Sequence, residues 1–204
     1  MTGAAARGET ADEPGGPAGE AATEQAGDQP FGPTVARFDD AVDRAFDRLR
    51  GHPVADRLFY GLSEAANFSL LWYGVAVARA VVSPRHRRDV VRLAVCIGVE
   101  SLVVNQGLKR VFRRGRPDRS DHTDPHRLRV PSTTSFPSGH ASSAVFAAAL
   151  LSDTDRRRRG LWYGLAALVA ASRPYVRIHH ASDVVGGAAA GWVLGRVARR
   201  LWPL

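Results

Sequence analysis

The segment of this chain best suited to chemistry is Ser135-Phe136-Pro137-Ser138-Gly139-His140, which runs straight into the small apolar stretch 141–151. Proline fits the first turn of a helix, serine caps orphan amides, and glycine lets backbone approach a ligand. The spacing therefore predicts a helix N-terminus whose N–H groups are left for an anion. A phosphate there would meet bare amides, the positive end of the helix dipole, the Ser138 hydroxyl and the His140 imidazole, which moves a proton near neutral pH. On these residues alone, an ordinary capped helix with a spare histidine explains the pattern equally well. The flanks tip the balance. Six residues separate Lys109 from Arg116-Pro117, five separate Ser172-Arg173 from His179, and three separate His179 from Asp183. Three cations, two histidines and a carboxylate thus bracket one anion-ready helix end. Of 28 basic residues a single one is lysine, and it is Lys109. A compact ammonium on a flexible stem is not interchangeable with a planar guanidinium, so its retention here points to a functional position.

In these three stretches the chain resembles the superfamily of type-2 phosphatidic acid phosphatases and vanadium haloperoxidases, and within it the bacterial membrane lipid phosphatases. The motifs K-x6-R-P, P-S-G-H and S-R-x5-H-x3-D are complete and in order, and the resemblance covers residues 93–194. It implies an all-α, membrane-embedded bundle and a phosphatase with no cofactor and no metal. The implied catalytic set is His179, His140 and Asp183. Asp183 would hold Nδ1–H of His179, whose Nε2 would attack phosphorus to form a phosphohistidine. His140 would protonate the departing alkoxide and then activate water. Lys109, Arg116, Arg173, the Ser138 hydroxyl and the Gly139 amide would hold the equatorial oxygens. His180 fits neither spacing of the third motif and reads as a bystander near the mouth.

The elements that must position these groups are apolar runs separated by arginine-rich turns. Residues 68–82, 90–104, 141–151, 161–171 and 184–197 are predominantly apolar. A helix rises about 1.5 Å per residue and a bilayer core is about 30 Å thick, so about 20 residues are needed to span it, and several of these runs are shorter. The turns decide for a membrane. Pro84-Arg85-His86-Arg87-Arg88, the cluster 156–159, and Arg196, Arg199 and Arg200 fall on one face if about five runs cross in alternation. This is the bias expected of a cytoplasmic side. The same alternation gathers Lys109, His140, Arg173 and His179 on the other face. The expectation is a multi-pass protein of the cell membrane with its active site on the extracytoplasmic face. Gly187, Gly191 and Gly195, at intervals of four, favour close helix packing.

The rest of the chain is peripheral. Residues 1–34 hold most of the acidic excess, in an Ala/Gly/Glu/Pro-rich stretch that reads as a disordered tail, with no apolar core of a signal peptide. Residues 35–66 read as amphipathic, peripheral helices, the first capping the bundle with Val35, Phe38, Val42, Phe46 and Leu49. Residues 67–204 form the phosphatase bundle. The formal charge of +8 suits a membrane surface; no nucleic-acid motif appears, and the oligomeric state is left open. Glu100, an ionisable group within an apolar run, is read as bonding Arg79, Asn105, Gln106 or nearby backbone. Asp121, His122, Asp124 and His126 resemble a metal cluster, but Pro125 breaks any shared helical face. Cys96 is the only cysteine, so no internal disulfide forms. The loop 118–134 would cover the site and choose the head group. The substrate expected is a phosphate monoester or pyrophosphate on a lipid, such as phosphatidic acid or a polyprenyl phosphate. A vanadate-dependent haloperoxidase and a non-catalytic binder of lipid phosphate are the competing readings.

Overall fold

Each apolar run becomes one helix, and proline or an arginine-rich turn ends or begins most of them. The structure, a computed structural model, describes residues 31–118 and 133–203, and these are helical with no strand. Helix α1 (Gly32–Asp47) and helix α2 (Pro53–Ala65) each carry proline in the first turn, where its missing N–H costs nothing. Helix α3 (Leu70–Val82) follows a single 3₁₀ turn, Asn67–Ser69, and helix α4 (Arg87–Leu102) continues through a π segment, Val103–Leu108, to Lys109–Val111. Helices α5 (Gly139–Thr154), α6 (Arg159–Tyr175) and α7 (Ala181–Leu201) complete the bundle. The expected apolar runs are recovered as helices, most with longer ends, because polar caps such as Ser138 and Asp155 lie beyond the apolar residues that revealed them. The first helix starts three residues earlier than its apolar pattern, at Gly32, where Pro33 presets the helical φ.

Helix α5 is the axis of the bundle. Ala141, Ala144, Ala147 and Ala148 are fully buried, and its small side chains let α7 come close. A Cβ at Gly187 would sit 2.3 Å from Ser138 O, one at Gly191 would sit 2.2 Å from Ser142 O, and one at Gly195 would sit 2.9 Å from the Ala149 methyl. The glycine ladder thus places backbone against backbone, as its spacing predicts. Gly191→Ala is expected to destabilise the protein by about 1–3 kcal/mol through overpacking, and to lower activity because α7 sets the position of Ser138. Gly164→Ala, at a position with nothing within 4 Å, is the matched control and is expected to be neutral or slightly stabilising. Thermal unfolding of the two variants in detergent checks both.

One end of the bundle gathers Arg79, Asp89, Arg92, Asp153 and Thr154, joined by Arg92–Asp153 at 3.0 Å and Arg79–Thr154 at 3.2 Å. The other end holds Lys109, His140 and His179, so the arginine clusters and the motif residues separate as alternation requires. Outward faces of α3, α4, α6 and α7 carry exposed Val77, Val81, Val95, Val99, Leu161, Leu168, Val185 and Val193. A surface this apolar needs an apolar solvent or partner. Among the described residues one helix, Pro84–Val111 at 28 residues, is long and apolar enough to cross a membrane. Pro53–Ala65 with Asn67–Val82, bent by 68°, passes the same test as a pair.

Candidate active site

At the start of α5, Ser138 has extended backbone and its Oγ accepts the Ala141 N–H at 3.4 Å, so Ser138 is the N-cap. Proline 137 therefore precedes the cap instead of lying in the first turn. The Ser138 N–H donates to Asp183 O at 2.9 Å, which ties the beginnings of α5 and α7 together. The N–H groups of Gly139 and His140 have no acceptor among the described residues and remain for a ligand. Ser138 itself is fully buried and lies outside the cavity lining, and its hydroxyl caps the helix.

The cations come from three elements. Lys109 follows the π segment, whose extra residue per turn re-aims the helix end. Its side chain is 7% exposed, and Nζ donates to Thr133 Oγ1 at 3.1 Å. Arg116 lies on the extended stretch after α4 and donates through Nη1 to Ile178 O at 2.7 Å and towards His179 Nε2 at 3.3 Å. Arg173, in the last turn of α6, is buried and donates to Ser63 of α2. His179 and His140 share with Lys109 and Gly139 a cavity of about 330 Å³. His140 Nε2 is 3.0 Å from Asn67 Oδ1, so it carries the proton and points at the break between α2 and α3.

His179 follows a turn in which Arg177 takes φ 52, in the left-handed region. Its Nε2 accepts from Arg116, which leaves the ring proton on Nδ1. Nδ1 lies 3.6 Å from Asp183 Oδ2 and 3.4 Å from Ser135 Oγ. The expected contact from Nδ1–H to Asp183 is long, because that oxygen already accepts from Ser135 Oγ at 2.5 Å and from the His180 N–H at 2.8 Å. Burial pushes His179 down to about 3. The neighbouring guanidinium groups of Arg173 and Arg116 act in the same direction and Asp183 opposes them. The ring is therefore a neutral base with its lone pair facing the cationic side of the cavity, the state a nucleophile needs. His180 is the N-cap of α7, and Asp183 completes a capping box by accepting its N–H.

Residues 89–203 match the model of the PAP2 superfamily. The chain belongs to the PAP2 superfamily. Among curated PAP2 relatives, the decaprenylphosphoryl-5-phosphoribose phosphatase of Mycobacterium tuberculosis (strain H37Rv) is 33% identical over 140 residues, 67% of this chain and 75% of that protein. The protein of the same name from Mycolicibacterium smegmatis is 33% identical over 155 residues, 74% of this chain and 82% of that one. The transmembrane PAP2 type phosphatidylglycerolphosphate phosphatase from Bacillus subtilis superposes with a TM-score of 0.63 at 25% identity, covering 84% of this chain and 87% of that one. Aquifex aeolicus LpxE shares the fold with a TM-score of 0.63 at 21% identity, over 83% of this chain and 97% of its own.

The PAP2 motif residues converge, and they bring company that the motifs do not announce. Arg114 bridges Asp183 Oδ1 at 2.8 Å and Asp39 Oδ2 at 2.7 Å, while Asp39 also accepts from Ser182 N and Oγ at 2.7 Å each. Asp39, which the amphipathic pattern of α1 assigns to the polar face, is 6% exposed and docks that helix onto the site. Glu100 bonds Ser142 Oγ instead of Arg79, which lies near Asp89 at the opposite end. Arg114 and Ser135 adjoin motif residues in the chain, which is a local signal; Asn67 and Asp39 carry none. No three His, Cys, Asp or Glu side chains among the described residues are grouped to hold a metal. The cluster Asp121, His122, Asp124 and His126, most of the head-group loop and the tail up to residue 30 lie outside the described residues.

Proposed function

We propose that this chain is a phosphatase that removes the terminal phosphate from a lipid phosphate, with no metal or other cofactor. His179 Nε2 attacks phosphorus, the bond to the lipid alcohol breaks, and the leaving oxygen takes a proton from His140, whose imidazolium form is favoured by the negative charge of the bound phosphate. Water then gives a proton back to His140 as its oxygen attacks phosphorus, breaking the N–P bond and freeing His179 and inorganic phosphate. Lys109, Arg116 and Arg173 supply the positive charge that a metal provides in other phosphatases, and the Gly139 and His140 amides complete the oxyanion cradle. Asp183 orients His179 from behind. The observation that carries this reading is the neutral His179 Nε2, 3.3 Å from Arg116 and in the same cavity as His140 and Lys109.

The relatives' names support polyprenylphosphoryl sugar phosphates as substrates, and the structural neighbour's title supports phosphatidylglycerolphosphate. Phosphatidic acid and simple polyprenyl phosphates share the same terminal group. The protein sits in the cell membrane as a multi-pass bundle of about five spans, and the segregation of arginine to the end opposite the cavity supports an extracytoplasmic active site. The purified protein is expected to release phosphate from a panel of these lipids in the presence of EDTA. Dependence of turnover on an added divalent cation would overturn the mechanism.

A further inference from the structure

The cavity that holds His140, His179 and Lys109 also carries, from α4 and the start of α5, polar side chains to which phosphoryl transfer gives no role. Glu100 on α4 is 2% exposed, and its Oε1 accepts from Ser142. Its Oε2 has no partner among the described residues and is not sealed off, so it opens on the cavity that Glu100 lines. Ser101 and Asn105 stand beside it on the same helix, with Asn105 Nδ2 donating to Ser101 Oγ at 3.0 Å, and Ser143 faces them from α5. The wall between α2 and α3 adds Asn67 and Ser69. Phe68, 69% exposed, lies at the rim with φ 53, a left-handed conformation that turns the chain by 68° and opens this side.

A buried carboxyl group that already accepts from Ser142 is a poor partner for a phosphate, whose oxygens are acceptors too, and for an acyl or prenyl chain, which gains nothing from a polar wall. It is the right group for a neutral donor. An aligned hydroxyl satisfies the idle Oε2, and a second hydroxyl suits Ser101 or Asn105, each of which both donates and accepts. A buried carboxylate with one unmatched oxygen is costly unless a ligand completes it. We propose that this wall is a hydroxyl-binding subsite and that the substrate carries its scissile phosphate on a polyol of the sugar-phosphate type, set between the phosphate and the lipid. Glu100 is the residue that distinguishes such a head group from a phosphate borne directly on an acyl or prenyl chain. The proposal rests on the lipid phosphatase reading above and narrows it.

The test uses the full chain in detergent with three substrates: a polyprenylphosphoryl pentose 5-phosphate, its 2,3-dideoxy analogue, and a plain polyprenyl monophosphate. The wild type is expected to favour the hydroxylated pentose over the dideoxy analogue by about 100-fold in kcat/KM, the scale on which buried polar groups reject a ligand lacking their partner. Glu100→Gln keeps the shape and the Ser142 contact but replaces a carboxyl oxygen by an amide nitrogen, and it is expected to reduce that ratio by about 30-fold. Equal proportional loss on all three substrates, or a wild type indifferent to the missing hydroxyls, would overturn the subsite and leave the phosphatase reading intact. A wild type inactive on all three would end that reading as well. Should Glu100→Gln fail to fold, the wild-type comparison of the hydroxylated and dideoxy substrates decides the matter by itself.

Discussion

His179→Ala is expected to cut phosphate release by at least about 10⁴-fold, the scale on which loss of a covalent nucleophile acts. The variant removes a ring that touches Arg116, Ser135 and Asp183, all of which keep other partners, so the protein should still fold and the loss should appear in kcat. With radiolabelled substrate and a rapid quench, the wild type should yield an acid-labile, base-stable phosphoprotein that the variant lacks. His140→Ala separates the steps: with a lipid ester bearing an activated aryl leaving group, His179 can still attack, but water is no longer activated, so label accumulates. Because burial holds His179 at about 3, formation of the phosphoprotein should not fall from about pH 7 to 5 through protonation of this residue. Substantial turnover by His179→Ala would overturn the mechanism.

Arg114→Met carries the second large effect, and this one falls first on the fold. Arg114 is 6% exposed and sits between the buried carboxylates of Asp39 and Asp183, with Nη1 also 2.6 Å from Ser182 Oγ. Methionine fills much of the volume but leaves two carboxylates facing each other without a counter-charge. Breaking a buried ion pair in this way costs about 3–5 kcal/mol. The same change frees Asp183 from its place behind His179, and a displacement of about 1 Å is enough to reduce kcat by about 100-fold. Adding Asp39→Asn should recover part of the stability, because one of the stranded charges is gone, while leaving activity low. Thermal unfolding in detergent together with kcat checks both parts. An Arg114→Met protein as stable as wild type would show that the bridge contributes nothing.

The two predictions differ in how they were reachable. His179 stands out in the linear chain because its spacings to Arg173 and Asp183 are set by local geometry: the end of one helix, a turn, and the first turn of the next. The start of α5 and the glycine ladder of α7 are legible for the same reason, since cap and period are properties of neighbours in sequence. Asp39 and Arg114 are 75 residues apart, and nothing in the period of α1 distinguishes Asp39 from Asp43, which stays near the surface. Asn67 likewise meets His140 only because two left-handed residues beside it bend the chain. Ser138 shows the reverse, a motif residue whose burial as a cap was decided by the approach of Asp183 O to its amide.

What the amino-acid sequence determined by itself was the set of candidate reacting groups and the helices that carry them, because residue type, capping and apolar period act over a few neighbouring residues. Tertiary structure alone decided that Arg114 and Asp39 brace Asp183 behind His179, where the proton of His140 points, and that Glu100 looks into the cavity. Those outcomes depend on which side chains desolvate one another when α1, α2, α4 and α7 close around α5, and burial of that kind has no signature along the chain.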